Sequence, residues 1–270
     1  MAIIAISRGT FSGGKAIAES LAARLGCPCI SREIINDAAK EFNIQATEFD
    51  AALAKPPGFW MQIPGKRVAL LNYIRAALLE RSKAGGLVYH GFAGHLLLTG
   101  VPHVLRVRVI ASAEYRIKAA MELLDLNRER AIARINRDDA QSDRWARSLY
   151  RLEWREPSIY DVVLNLERIT IDGAVQTLAQ MTDLPEFKPT GESMHAFHDL
   201  LLGSKIWAAL SKDPRTHSAN IRVEAHDGNV TIAGDASSDA VLKAIPVVAS
   251  LVKGVGQVHC EVGIGSNWVW

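Results

Sequence analysis

The run Ile3-Ile4-Ala5-Ile6-Ser7-Arg8-Gly9-Thr10-Phe11-Ser12-Gly13-Gly14-Lys15 constrains what this chain can fold into more than any other part of it. A β-branched apolar segment enters a glycine-rich turn, and residues 16–25 then carry helical periodicity closed by Gly26, a C-cap glycine. Gly9, four intervening residues, Gly14 and Lys15 have the Walker A spacing. In such a turn backbone N–H groups curl round a phosphate, the next helix points its N-terminus at it, and the lysine reaches the outer phosphates. The strand before and the helix after favour this reading over a plain surface turn. They make Gly9, Ser12, Gly13, Gly14 and Lys15 the candidate phosphate contacts. The hydroxyl that would hold Mg²⁺ belongs directly after the lysine or one place further, and Ala16 and Ile17 stand there, so magnesium is expected without a loop hydroxyl ligand.

With 270 residues, 49% of them hydrophobic, the chain can build one sizeable α/β core and a smaller module. A net charge of +2 is too balanced for a general nucleic-acid binder, so any charge argument must be local. Cys27, Cys29 and Cys260 have no metal-site spacing and read as reduced core or loop thiols; no metal-ligand cluster is expected. No apolar run reaches the length of a membrane span, and no signal-peptide pattern opens the sequence. The expectation is a cytoplasmic protein that is not transmembrane.

Residues 27–30 read as a strand, and Ser31 can cap a helix running to residue 40. Arg32 then falls at the strand's C-terminal edge, where parallel α/β sheets bind ligands; a substrate contact and a solvated first-turn arginine remain open. A short helix over 47–54 leads into a proline-punctuated, aromatic loop at 55–65, either a mobile lid or an interface. A helix over 68–82 contains Arg75. Strands at 87–90, 103–111 (with Arg106 and Arg108 on one face) and 161–165, alternating with helices, imply a parallel, doubly wound sheet. Between Arg128 and Arg155 lie eight arginines, no lysine and five carboxylates, a local excess of three positive charges. Arg130, Arg137, Arg144 and Arg151 recur every seven residues and share a face wherever the stretch is helical. Arginine suits bidentate phosphate clamping, and with a phosphate loop already argued the clamp is preferred to an ion-paired solvated helix. Arg128 and Arg155, at the ends of the stretch, are expected to tolerate alanine.

A helix over 171–181 closes this part. Residues 183–194, with Pro185, Pro189 and Gly191, read as a linker. Beyond it come a helix, two alternating strands joined by Asp227-Gly228, a second helix and a final strand, a small α+β domain. The expected organisation is a domain at 1–182, a linker at 183–194 and a second domain at 195–270.

The first part resembles the cytidylate kinase-like proteins. The opening Ile-Ser-Arg with its Ser-Gly-Gly loop, Ser31-Arg32-Glu33-Ile34-Ile35, Arg137-Asp138-Asp139 through Arg144, and Tyr160-Asp161-Val162-Val163-Leu164-Asn165 carry the likeness. It implies a nucleoside monophosphate kinase fold, a P-loop parallel sheet flanked by helices with an arginine-rich helical lid, and ATP on the loop. Lys15 would bridge donor phosphates, Arg137 and Arg144 would be lid arginines, and Arg75 an acceptor-phosphate arginine. Where the kinases carry Gly-Arg-Asp this chain has Gly91-Phe92-Ala93, and the acidic residue inside their lid motif is Gln141 here. The tail resembles a BON domain, through Asp227-Gly228-Asn229-Val230-Thr231-Ile232-Ala233-Gly234 and Val252-Lys253-Gly254-Val255. That likeness implies a lipid or protein partner and leaves a structural or dimerising role open. The function expected is an ATP-dependent phosphotransferase of unnamed acceptor. Its alternative is a catalytically impaired nucleotide sensor reporting through the BON-like domain.

Overall fold

The computed structural model describes residues 2–45, 64–91, 93–150 and 152–265. The expected helix at 47–54, the aromatic loop up to residue 63, Phe92 and Arg151 lie outside them. Two compact units emerge. The first contains the described residues of Met1–Glu33 and Arg81–Pro189, and the second those of Ile34–Ala54, Trp60–Glu80 and Thr190–Trp270.

The first unit is built on β1 (Ile3–Arg8), β2 (Cys29–Ile30), β3 (Leu87–Tyr89), β4 (Val104–Ile110) and β5 (Val162–Asn165), all parallel, in the order β2-β3-β1-β4-β5. Parallel neighbours need long crossovers, and here they are helical. The helices in chain order are α1 (Gly14–Leu25), α2 (Ile34–Glu41), α3 (Pro64–Ser82), α4 (Gly94–Leu97), α5 (Ala113–Leu124), α6 (Arg128–Tyr150) and α7 (Ile171–Met181). β1 is the central strand and is buried up to Ser7, which is why it reads as an unbroken apolar run rather than an alternating one. On one sheet face Ile4, Ile6, Val107, Val109 and Leu164 pack against Ile17 and Leu21 of α1 and Leu178 of α7. Alternation puts Ser7, Arg106 and Arg108 on the opposite face, with Ser7 and Arg108 in register. The arginine-rich stretch is one helix of 23 residues from Arg128 to Tyr150, with Arg155 beyond its end. Ile117 and Ala120 of α5 and Ala131 and Ile135 of α6 form a small core between the two helices, and Phe11 of the glycine turn packs against it.

Ser31 does not cap a helix as expected. Its backbone N–H and hydroxyl both donate to Glu33, and α2 starts later, at Ile34.

The second unit holds α2, α3 up to Glu80, and the C-terminal elements α8 (Gly191–Lys212), β6 (Asn220–His226), β7 (Asn229–Ala236), α9 (Asp239–Ser250) and β8 (Gln257–Ile264). Helix α8 starts at Gly191 with a reciprocal capping box between Thr190 and Ser193. β6 and β7 form a hairpin whose two-residue turn has φ 47° at Asp227 and 81° at Gly228, the positive pair that a type I′ turn requires. β8 pairs parallel to β7, and Ile206, Leu210, Val230, Ile232, Ile245 and Val248 form the core beneath the sheet.

Candidate functional site

The glycine turn leaves β1 at its C-terminal end. Gly13 sits at φ 84° as the N-cap of α1, with no side-chain cap. A Cβ there would lie 2.7 Å from Leu166 Cδ1, and one on Gly14 would lie 2.7 Å from Arg8 Cβ. Conformation and space therefore both demand glycine, and the first-turn amides of α1 have no capping side chain to compete with an anion. The Gly9 N–H and the buried Ser12 hydroxyl both donate to the Val109 carbonyl at 3.0 Å, and the Ser12 N–H donates to Gly9 O. These bonds pin the turn to β4, so the Ser12 hydroxyl is engaged structurally. Lys15 is exposed, 3.7 Å from Glu19.

Beside the turn, over the ends of β4 and β5, lies a cavity of about 290 Å³ whose charged lining is Arg8, Arg108, Arg116, Arg155, Asp139 and Asp143. Arg116, on α5, ties the turn to α6: its Nε donates to Thr10 O at 2.7 Å, and its Nη2 donates to both Asp139 oxygens at 2.8 Å. Phe11, at φ 59°, packs against the α5–α6 core from the same side. Arg155 Nη2 donates to Asp143 at 3.1 Å and lies 3.9 Å from Asp139. Sequence placed Arg155 at the indifferent end of the arginine stretch. The chain after α6 brings it back to the cavity.

Arg108 is only 7% exposed. Its Nη1 donates to Trp154 O at 3.1 Å, Tyr160 Oη at 3.3 Å and Ser7 Oγ at 3.4 Å, and its guanidinium carbon lies 5.8 Å and 5.5 Å from the Trp154 and Tyr160 ring centroids. His95, 2% exposed, stands against the same two rings, and neither ring nitrogen finds a hydrogen-bond partner among the described residues. Burial, with Arg108 and Arg106 adding to it, pushes its pKa down to about 3, so the imidazole is neutral.

Arg137 is exposed and 3.6 Å from Asp138, and Arg144 is exposed with no ion pair among the described residues. Neither lines the cavity. Arg32 is exposed at the turn after β2, and Arg75 belongs to the second unit, donating to Asn72 at 3.2 Å. Sequence reasoning singled out neither Arg108 nor Arg116 as site residues. The signal for Arg108 was a pair of arginines, 106 and 108, inside a strand whose other residues are apolar; Arg116 had none, since one arginine on an amphipathic helix is ordinary. Among the described residues no group of three His, Cys, Asp or Glu could hold a metal ion, and no helix is long and apolar enough to cross a membrane.

The profile of the cytidylate kinase-like family matches residues 3–168, and that of the BON domain matches residues 198–265. No curated protein matches. Among solved structures, an uncharacterized protein from Eubacterium ventriosum superposes with a TM-score of 0.53 at 18% identity, covering 68% of this chain and 99% of its own. A shikimate kinase from Bacteroides thetaiotaomicron superposes with a TM-score of 0.42 at 12% identity, covering 68% and 99%. At such identity the first likeness concerns the fold alone.

Proposed function

The chain belongs to the cytidylate kinase-like family, and from that premise we propose that its first unit is an ATP-dependent phosphotransferase of the nucleoside monophosphate kinase type. The observation that carries the reading is the glycine turn itself. Gly13 turns at φ 84° and Gly14 has no room for a Cβ against Arg8, so the turn presents uncapped first-turn amides at the N-terminus of α1, beside a cavity with four arginines against two carboxylates. Those residues fit a nucleotide's phosphates. ATP, when bound, supplies the transferable phosphoryl group. The chain's part is to bind and screen: α1 amides and Lys15 on donor phosphates, Arg116 and the cavity arginines on charge that builds up in transfer. Arg137 and Arg144, with weak or no ion-pair partners among the described residues, are available as lid arginines, and Arg32 is the proposed acceptor contact within this unit.

Magnesium is a different matter. Ala16 has no donor atom and Ile17 is buried in the core, so the protein offers no direct ligand at that slot. The ion that accompanies a nucleotide would be held by phosphate oxygens and water. The same substitution favours a second reading, a nucleotide sensor with little turnover whose BON domain meets a lipid or protein partner.

Turnover assays scoring ADP formation with each common nucleoside monophosphate, with Lys15→Ala as control, separate the two. Lys15-dependent ADP is the expected result. Its absence with every acceptor, joined to nucleotide binding of equal strength with and without Mg²⁺, would establish the sensor instead.

A further inference from the structure

Burying a guanidinium is costly unless an anion compensates it. Arg108 is almost wholly buried, yet its three hydrogen bonds go to neutral acceptors: a carbonyl, a phenol and a serine hydroxyl. All three leave from Nη1, so Nη2 and Nε donate to nothing among the described residues. The nearby carboxylates are committed elsewhere. Asp139 is bidentate on Arg116, Asp143 accepts from Arg155, and Asp161 is held by Arg106 through Nε, Nη2 and its backbone N–H. The Trp154 and Tyr160 rings offset part of the charge, but a quadrupole is not a counter-ion. His95, the remaining polar group against those rings, carries no negative charge to offer. Arg8, at the mouth of the same cavity, has no ion pair among the described residues either. The cavity therefore holds two arginines whose charge no carboxylate among the described residues balances.

We propose that Arg108 and Arg8 form an anion site at the floor and mouth of this cavity, beside the glycine turn, and that it takes a phosphate group. A guanidinium with its second edge unused is a planar fork that suits two phosphate oxygens, and two uncompensated charges match a dianion. The existence of the site rests on the burial of Arg108. That the phosphate belongs to a nucleotide rests on the reading given above.

The test uses the full chain and inorganic phosphate as probe, with chloride at matched ionic strength as reference. Phosphate should raise the Tm of the wild type and bind measurably by calorimetry. Arg108→Met, similar in volume and neutral, should weaken phosphate binding by about tenfold or more. It should leave the Tm without phosphate equal to or above that of the wild type, because an uncompensated buried charge is removed. An arginine that only braces Trp154 and Tyr160 would give the opposite pair, a lower Tm with unchanged phosphate affinity, and that overturns the proposal, as does a wild type that phosphate fails to stabilise. Should Arg108→Met not fold, Arg8→Ala at the exposed mouth should still weaken phosphate several-fold; unchanged affinity there is equally fatal. Phosphate that binds through Arg108 but is not displaced by ATP leaves the site standing and removes the nucleotide as its carrier.

Discussion

Arg106 and Arg108 leave the same face of β4 two residues apart, and their surroundings could hardly differ more. Arg106 meets Asp161 in a bidentate, partly exposed pair at 3.1 and 2.6 Å, while Arg108 lies under aromatic rings with no carboxylate partner among the described residues. The arginines of α6 repeat the contrast on a larger scale. Those on its outer surface are exposed or half-buried and pair with near neighbours, as Arg134 does with Asp138 and Arg147 with Glu153, or have no ion pair among the described residues, as Arg144. The arginines of the cavity come from four separate segments, β1, β4, α5 and the chain after α6. Charge density along the sequence and charge convergence in space are thus different properties. The second is the one that builds an anion site.

Removing Arg116 should break this arrangement most severely. Arg116→Ala takes a hydrogen bond from the turn at Thr10 and both hydrogen bonds from Asp139, leaving that carboxylate only Arg155 at 3.9 Å while it faces any incoming phosphate. ATP affinity by calorimetry should fall about a hundredfold, and Arg116→Lys should recover only part, because a point charge cannot replace the fork. Arg144→Ala should cost less, about tenfold, since one exposed lid contact is lost and the turn is untouched. Equal losses for both would show that cavity and outer surface act alike, and the distinction between them would fail.

How far the chain could be read beforehand follows from the same distinction. The sheet was legible because each parallel strand is a local apolar run and each crossover a helix with its own periodicity; β1, its glycine turn and α1 are all written within 25 consecutive residues. The hairpin turn at Asp227-Gly228 was legible for the same reason. Arg108 and Arg116 were not, because their meaning depends on contacts across 101 and 106 residues, to Ser7 and Thr10. Local patterns predict elements; a site assembled by topology shows itself only once the strands are side by side.

A smaller effect is expected from His95, on the buried side of the contrast. Its pKa of about 3 lies below the ordinary 6.5, so the unfolded chain binds a proton that the folded one refuses. The resulting stability is fully present above pH 6.5 and is lost as pH falls from there toward 3. Between pH 7 and pH 5 that amounts to about 2 kcal/mol. Buried His90 and His103, also shifted down by burial, add to the same slope. His95→Phe should flatten the pH dependence of the denaturation midpoint over that interval; an unaltered slope would mean that another group carries it.

The smallest effect should come from Arg106, and its smallness is what gives the comparison with Arg108 its edge. The side chains of Arg106 and Asp161 are 37% and 20% exposed, so water already solvates much of the pair and screens what remains. Arg106→Ala should therefore lower stability by no more than about 1 kcal/mol, by an amount that shrinks in high salt. Asp161 keeps the Arg106 backbone N–H as a donor at 2.7 Å, so the β4–β5 edge retains one of its three bonds to that carboxylate. Phosphate affinity should not change, because this charge is already balanced within the protein. Chemical denaturation at two salt concentrations, with phosphate titrations on the same samples, measures both quantities. A loss of phosphate binding in Arg106→Ala equal to that in Arg108→Met would mean that β4 contributes a diffuse positive field and that no arginine on it is singled out by lacking a partner.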